Sequence, residues 1–388
     1  MARKKKTPTE VKTFAAASFL NDFGSDMIYP IWPIFVTSVL GADMSVLGLI
    51  DGIGDALVSI SQAVSGYFSD KLRKRKIFIW LGYLFGGISR VGYAFTQIWG
   101  WLIPFRILDR AGKMRGAPRD AIVADVSTDQ NRGRNFGLLR AFDNLGAVCG
   151  ILTTIFLLNF FGYQNLFLFA AIPSFLSVVL ILFFVKERPA IAQKTFRGIR
   201  FRNLSKNFRI VLWASVIFAS GAFSYSFLLI FAKSEGFAIT TLPILYLVFT
   251  LIASLTSLPF GKLADRIGRK QVFLLALFWW ILVCASAIFL DGWFAIAGIF
   301  IAFGLHQGAL HPVQKTFVAE LAPPELRASA LGGYQMAIGL AALPASLAAG
   351  ILWDVFGATV PFATSLALTV VAIIFLSFVK TKPAALGN

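Results

Sequence analysis

The apolar residues of this chain come in runs too long for a soluble core, such as "IFIWLGYLFGGI" and "FLLALFWWILVCASAIFL". A helix needs ~20 apolar residues to cross the hydrocarbon core, where backbone polar groups must be satisfied internally. Twelve such stretches can be delimited, at 13–40, 46–69, 77–96, 98–124, 134–160, 164–185, 209–232, 239–262, 271–290, 293–319, 327–350 and 359–379. Only 14% of the residues are charged, against the roughly 25% of a soluble domain. An all-α integral membrane protein is therefore expected. The one long polar interruption divides it into an N-terminal six-helix bundle (1–185), a basic linker (186–208) and a C-terminal six-helix bundle (209–388).

A net charge of +17 raises nucleic-acid binding as an alternative, but the placement of the charge speaks against it. Under this topology 27 of the 36 Lys and Arg fall on one side of the membrane, eight lie within spans, and Lys233 alone faces the other side. That asymmetry places both termini and the linker in the cytoplasm, where the basic linker can also attract anionic lipid. The first apolar run soon meets Asn21, Asp22 and Asp26, so an uncleaved first span is expected rather than a signal peptide. Cys149 and Cys284 lie inside spans with no ligand spacing and are read as packing residues.

The two halves repeat each other. "GYFSDKLRKRK" (66–76) and "GKLADRIGRK" (261–270) share an offset of 195 that also pairs Arg132 with Arg327, Gly137 with Gly332, and "VAD" at 123–125 with "VAE" at 318–320. Such a duplication of six spans is a recurrent transporter plan. The twelve spans, the central basic loop and the paired charged hinge resemble the major facilitator superfamily. Its hinge motif, roughly G-x-L-a-D-R-x-G-R-[RK], is matched by Gly261, Asp265, Arg266, Gly268, Arg269 and Lys270. Gly66, Asp70, Lys71, Lys74 and Arg75 match it in the first half, where Arg73 replaces the second glycine. The resemblance implies that the hinge Asp latches the cytoplasmic side shut in one state. The residues themselves allow further roles: fixing topology, and capping a neighbouring helix N-terminus or pairing with Arg.

The repeat also exposes what is not repeated. Asp22 and Asp26 lie one turn apart in span one, and Asp51 and Asp55 one turn apart in span two; none has a charged counterpart at the 195 offset. Span four carries Arg106, Asp109, Arg110, Lys113, Arg115, Arg119 and Asp120, and span five adds Arg140 and Asp143. The corresponding stretch of span ten holds only His306, His311 and Lys315. A charge at mid-bilayer costs at least ~3 kcal/mol, so these groups must pair or line a wet cavity. One reading is structural, with Arg106, Arg110 and Arg140 satisfied by Asp109, Asp143 and neighbours. Arg90, alone in span three, is expected to reach toward the outer interface. The other reading makes Asp22, Asp26 and Asp55 proton-coupling or substrate residues, with Asp51 ranked below them. Pro30 and Pro33 should kink span one. His306 and His311, five residues apart, do not share a helical face and are read as packed neutral side chains rather than metal ligands.

The resemblance implies a secondary transporter whose halves rock about a central cavity, lined in that family by spans one and four. No phosphate loop, nucleophile constellation or metal motif is visible, so no enzyme activity or cofactor is expected, and an ion gradient should drive transport. The leading expectation is a monomeric, inner-membrane proton antiporter exporting a small organic solute, with Asp22 or Asp26 carrying the proton. The rival is a proton symporter importing a small organic anion held by Arg106 and Arg110. A third reading is a non-transporting membrane sensor that retains the fold. In span five, Gly137, Gly146 and Gly150 keep the first glycines of the family's antiporter motif, while Ile151 replaces its proline and Thr154 a later glycine. Close helix packing accounts for such glycines without fixing a direction of transport.

Overall fold

The computed structural model describes residues 8–128, 131–187, 204–323 and 326–380. Most of the linker expected at 186–208 and most of the N-terminal basic arm lie outside the described residues. The helices run α1 (Thr9–Ile28), α2 (Trp32–Ile34), α3 (Met44–Leu72), α4 (Lys76–Phe95), α5 (Leu102–Ala111), α6 (Gly116–Asp125) and α7 (Arg132–Phe184). They continue as α8 (Lys206–Gly221), α9 (Tyr225–Ser234), α10 (Leu242–Ile267), α11 (Arg269–Phe289), α12 (Trp293–Leu321), α13 (Arg327–Phe356) and α14 (Thr359–Ser377).

Among the described residues, nine helices are long and apolar enough to cross a membrane. One of them, α7, has 53 residues, more than twice what a bilayer accommodates at about 1.5 Å per residue. It breaks at Gly162, where φ is 67° and ψ −179°, a combination essentially confined to glycine. Its two arms are the fifth and sixth spans. The first and fourth spans are discontinuous and charged, so length and hydropathy alone pass over them. Span one breaks after Ile28 at Pro30 and resumes as α2 and a π-helix, Phe35–Val39, as the two prolines require. Span four is α5 and α6 joined by a 3-10 turn at Gly112–Arg115. With these, the twelve expected spans are all present.

The described residues form two compact units, one from Met1–Phe35 and Leu57–Thr195, the other from Val36–Ala56 and Phe196–Asn388. The division runs through α3. In the first unit α1 lies along α7, and α4 packs on α7 and α5. Phe14, Ala17, Ile79, Tyr83, Ile122, Leu139 and Ile181 form its buried core. Two hydroxyls pin α1 to the two arms of α7: Thr154 Oγ1 donates to the Met27 carbonyl at 2.7 Å and Ser177 Oγ to that of Ala17 at 2.8 Å.

The second unit has an aromatic core in which Phe218, Trp280 and Phe303 surround the buried ring of His306. The Nδ1 of His306 lies 2.7 Å from the Ala276 carbonyl, which accounts for it as a packed side chain. This unit also holds the N-terminal half of α3. The Asp354 carboxylate accepts from the backbone N–H groups of Met44 at 3.0 Å and Ser45 at 2.8 Å, satisfying donors that a helix start leaves open. Buried Asp51 accepts from Ser224 Oγ at 2.6 Å and Ser226 Oγ at 2.5 Å, where α8 gives way to α9.

The turn between α3 and α4 explains the substitution seen in the first hinge. Arg73 has φ of 55°, the only positive φ outside glycine among the described residues, and Gly268 has φ of 100° at the same place in the second hinge. Both copies therefore use left-handed backbone, which costs an L-residue roughly 1–2 kcal/mol. Arg73→Gly is expected to raise the apparent unfolding temperature in detergent, followed by tryptophan fluorescence; a lowered value would show that the Arg73 side chain offsets its backbone strain.

Candidate functional site

Within the first unit, charged groups meet where α1, α6 and α7 adjoin. Asp22 and Asp26 are both half-buried on α1. Asp22 Oδ1 accepts from Asn21 Nδ2 at 2.9 Å, and Asp143 of α7 lies within its electrostatic reach. Arg119 of α6 approaches Asp143 at 3.9 Å, donates to Asp120 Oδ1 at 3.0 Å, and reaches Ser18 Oγ on α1 at 2.7 Å. Two half-buried carboxylates thus lie within electrostatic range of each other, with a guanidinium beside one of them, a set whose net charge changes by one when a proton is taken up.

The pairing expected for the arginines is corrected in part. Arg110 does meet Asp109, at 3.4 Å. Asp143 takes Arg119 as its ion-pair partner, while the side chain of Arg140 is exposed and contributes only through its field. Arg106 and Arg110 also rest on aromatic faces that the sequence reading overlooked: Arg106 lies 4.5 Å from the centre of the Trp32 ring and Arg110 5.1 Å from that of Tyr29. Each such contact contributes about 0.5–2 kcal/mol when desolvated. The proline break after α1 carries both rings, so the kink expected from Pro30 and Pro33 also places these rings against span four.

One other expectation changes, and the two aspartates of span two differ in their surroundings. Arg90 does not reach outward; it is 2% exposed and hydrogen-bonds inward to α1 and α7. An arginine surrounded by backbone and hydroxyl acceptors need not snorkel to the surface. Asp55 is exposed, whereas Asp51, ranked lowest of the four aspartates, is buried and doubly hydrogen-bonded in the second unit. One helical turn separates them, yet the two lie in different surroundings.

The hinge residues divide into those that bond and those that face outward. Buried Arg75 pairs with Asp70 at 3.1 Å and with Asp125. In the second hinge Arg269 pairs with Asp265 at 2.5 Å and with Glu320 at 3.1 Å. Asp70, Asp265, Asp125 and Glu320 obey the 195 offset, but the bridging arginines do not: Arg75 stands five residues after its Asp and Arg269 four after its own. Lys74, which stands at the 195 offset from Arg269, is exposed, and Arg266 is exposed as well. Gly66 and Gly261 lie at the approach to each hinge, where a side chain at Gly66 would make ordinary contact with Ala117 and one at Gly261 would meet nothing within 4 Å. Capping of the next helix falls to Glu187 rather than Asp70: it accepts from the backbone N–H of Arg75 at 2.8 Å and of Lys76 at 3.2 Å. Glu320 was foreshadowed by the "VAD"/"VAE" match, whereas nothing in a single sequence marks Glu187.

Twelve spans in two repeated halves, with charged side chains kept inside the spans, make the plan of a membrane transporter. The family model described as Major Facilitator Superfamily matches residues 14–255 and 214–388. An uncharacterized MFS-type transporter of Methanocaldococcus jannaschii is 36% identical over 349 residues, 87% of each chain. Multidrug resistance protein MdtG of Proteus mirabilis is 25% identical over 315 residues, 77% of this chain and 78% of that one. Among solved structures, nucleoside transporter NupG superposes with a TM-score of 0.77 at 17% identity, covering 96% of this chain and 100% of that one, which bears on the fold alone. The chain belongs to the Major Facilitator Superfamily. It is a multi-pass membrane transporter and not an enzyme.

Proposed function

We propose that the chain is a proton-coupled antiporter that exports a small organic solute across the cytoplasmic membrane, with both termini cytoplasmic. Asp22 or Asp26 carries the proton, with Asp143 and the guanidiniums around it forming the rest of the site. Asp70, Arg75, Asp265 and Arg269 act as the cytoplasmic hinge and gate. The observation that carries this reading is the half-buried set of Asp22, Asp143 and Arg119, whose charge can change by one without a permanent ion. On span four, Asp109 and two aromatic rings engage the arginines, which favours a carboxylate-based exchange over an arginine-held anion. The relative named as a multidrug resistance protein is consistent with export.

The test is transport in proteoliposomes under an imposed pH gradient. Small organic solutes are first chosen by thermal stabilisation of the purified protein, since binding raises apparent stability by mass action. Solute-driven proton movement is expected to fall at least tenfold in Asp22→Asn, Asp26→Asn or both. Full retention in both variants would sink the coupling assignment, and solute movement down the proton gradient, in the same direction as the proton, would replace export by uptake.

A further inference from the structure

Arg90 plays no part in that proton exchange as described, yet it occupies the interior of the first unit. Its hydrogen-bond partners among the described residues are all uncharged. Nη1 donates to the Ala170 carbonyl at 3.1 Å and to Ser174 Oγ. Nη2 donates to Ser25 Oγ at 2.7 Å, to the Asn21 carbonyl at 3.1 Å and to Asn21 Oδ1 at 3.3 Å. Burying a guanidinium costs several kcal/mol, and apolar residues of similar volume often hold helices together as well or better. Joining α1, α4 and α7 is therefore a weak reason to keep a charge here.

Asn21 supplies a stronger one. Its amide stands between a guanidinium, which can only donate, and the Asp22 carboxylate, which when ionised can only accept. Oδ1 takes the Arg90 bond at 3.3 Å, and Nδ2 gives the Asp22 bond at 2.9 Å. Turning the amide over would set N–H against N–H and oxygen against oxygen, losing both bonds. Asn21 is 1% exposed, so solvent does not replace either.

We propose that Arg90 and Asn21 are positioning residues for proton coupling, the hydrogen-bonded bridge Arg90–Asn21–Asp22 holding the Asp22 carboxylate in one orientation. This rests on the reading of Asp22 or Asp26 as the coupling group, and it selects Asp22, where the bridge ends. The Arg90 guanidinium fixes the amide through its bond to Asn21 Oδ1, and the amide fixes the carboxylate. Arg90 thus acts on Asp22 across two hydrogen bonds without touching it.

The test is independent of any solute. In reconstituted bilayers, the infrared difference between wild type and Asp22→Asn isolates the Asp22 carboxyl band. Asn21→Ala and Arg90→Lys are both expected to shift that band. If Arg90→Lys fails to fold, Asn21→Ala carries the test, because it leaves the other Arg90 bonds in place. Thermal unfolding supplies the second readout: Asn21→Ala and Asp22→Asn together should lower the midpoint by less than the sum of their separate effects. An unmoved band, or additive losses, would show that Arg90 only ties helices together and would overturn the proposal. Proton flux in Asp22→Asn decides the underlying reading separately. Lost flux with an unmoved band removes the bridge alone, whereas a shifted band with flux fully retained removes the coupling role and this proposal with it.

Discussion

Valine at Gly150 is expected to leave little folded protein in the membrane. A Cβ at Gly150 would fall on the Phe23 carbonyl and come within 3.1 Å of the backbone at Asp26 and Met27. These are atoms of α1's own backbone, so no side-chain rotation relieves the clash. Overpacking a core costs about 1–3 kcal/mol even when side chains can adjust, and separating α1 from α7 would also forfeit the Thr154 bond to Met27, worth about 1 kcal/mol. A total of roughly 3 kcal/mol or more would remove a large part of the stability of an ordinary domain. Size-exclusion profiles of a fluorescent fusion would report the loss as a collapse of the monodisperse peak. Gly137→Val is the internal control: it belongs to the same glycine pattern, but a Cβ there meets nothing within 4 Å. Equal damage from both substitutions would defeat the close-approach explanation.

Arg75→Ala is expected to be the most damaging change at the first hinge, while Lys74→Ala should be nearly silent. Arg75 is 3% exposed and bonds both Asp70 and Asp125. Removing one partner of a buried ion pair costs about 3–5 kcal/mol. Because the Asp70 and Asp125 side chains are 48% and 27% exposed, water recovers part of that, and about 2 kcal/mol is the better figure. Lys74 is exposed, and substitutions at such sites usually stay within ~0.5 kcal/mol. Thermal unfolding of the two variants in detergent would separate them. A Lys74 effect as large as that of Arg75 would mean that charge near the hinge matters more than its geometry.

These two predictions mark where a single sequence can be read and where it cannot. The span-five glycines were visible as a pattern, but Gly137, Gly146 and Gly150 look alike on the page. Only the packing of α1 shows that Gly146 and Gly150 lie against backbone while Gly137 faces open space. Lys74 and Arg75 likewise match one motif together, yet the first faces outward and the second is buried against Asp70 and Asp125. Arg90 was misplaced because a lone arginine in an apolar span is ordinarily drawn to the interface; its five neutral acceptors come from segments far away in sequence.

The twelve spans, the duplicated halves and the unrepeated charge in the first of them are legible along the chain alone. Those features follow from requirements local to the chain: a bilayer imposes a length, a helix satisfies its own backbone, and a duplication leaves a constant offset. Which charged groups meet depends instead on how the helices pack. Asp22 and Asp26 are one turn apart for any helix, but the bridge from Arg90 through Asn21 joins positions 69 residues apart. The partners of Arg90 on α7 lie 80 and 84 residues away. Such meetings depend on how each helix is rotated and where prolines and glycines break it. Many rotations bury apolar surface about equally well, so the pattern of hydrophobic residues does not choose among them, and close backbone contact does.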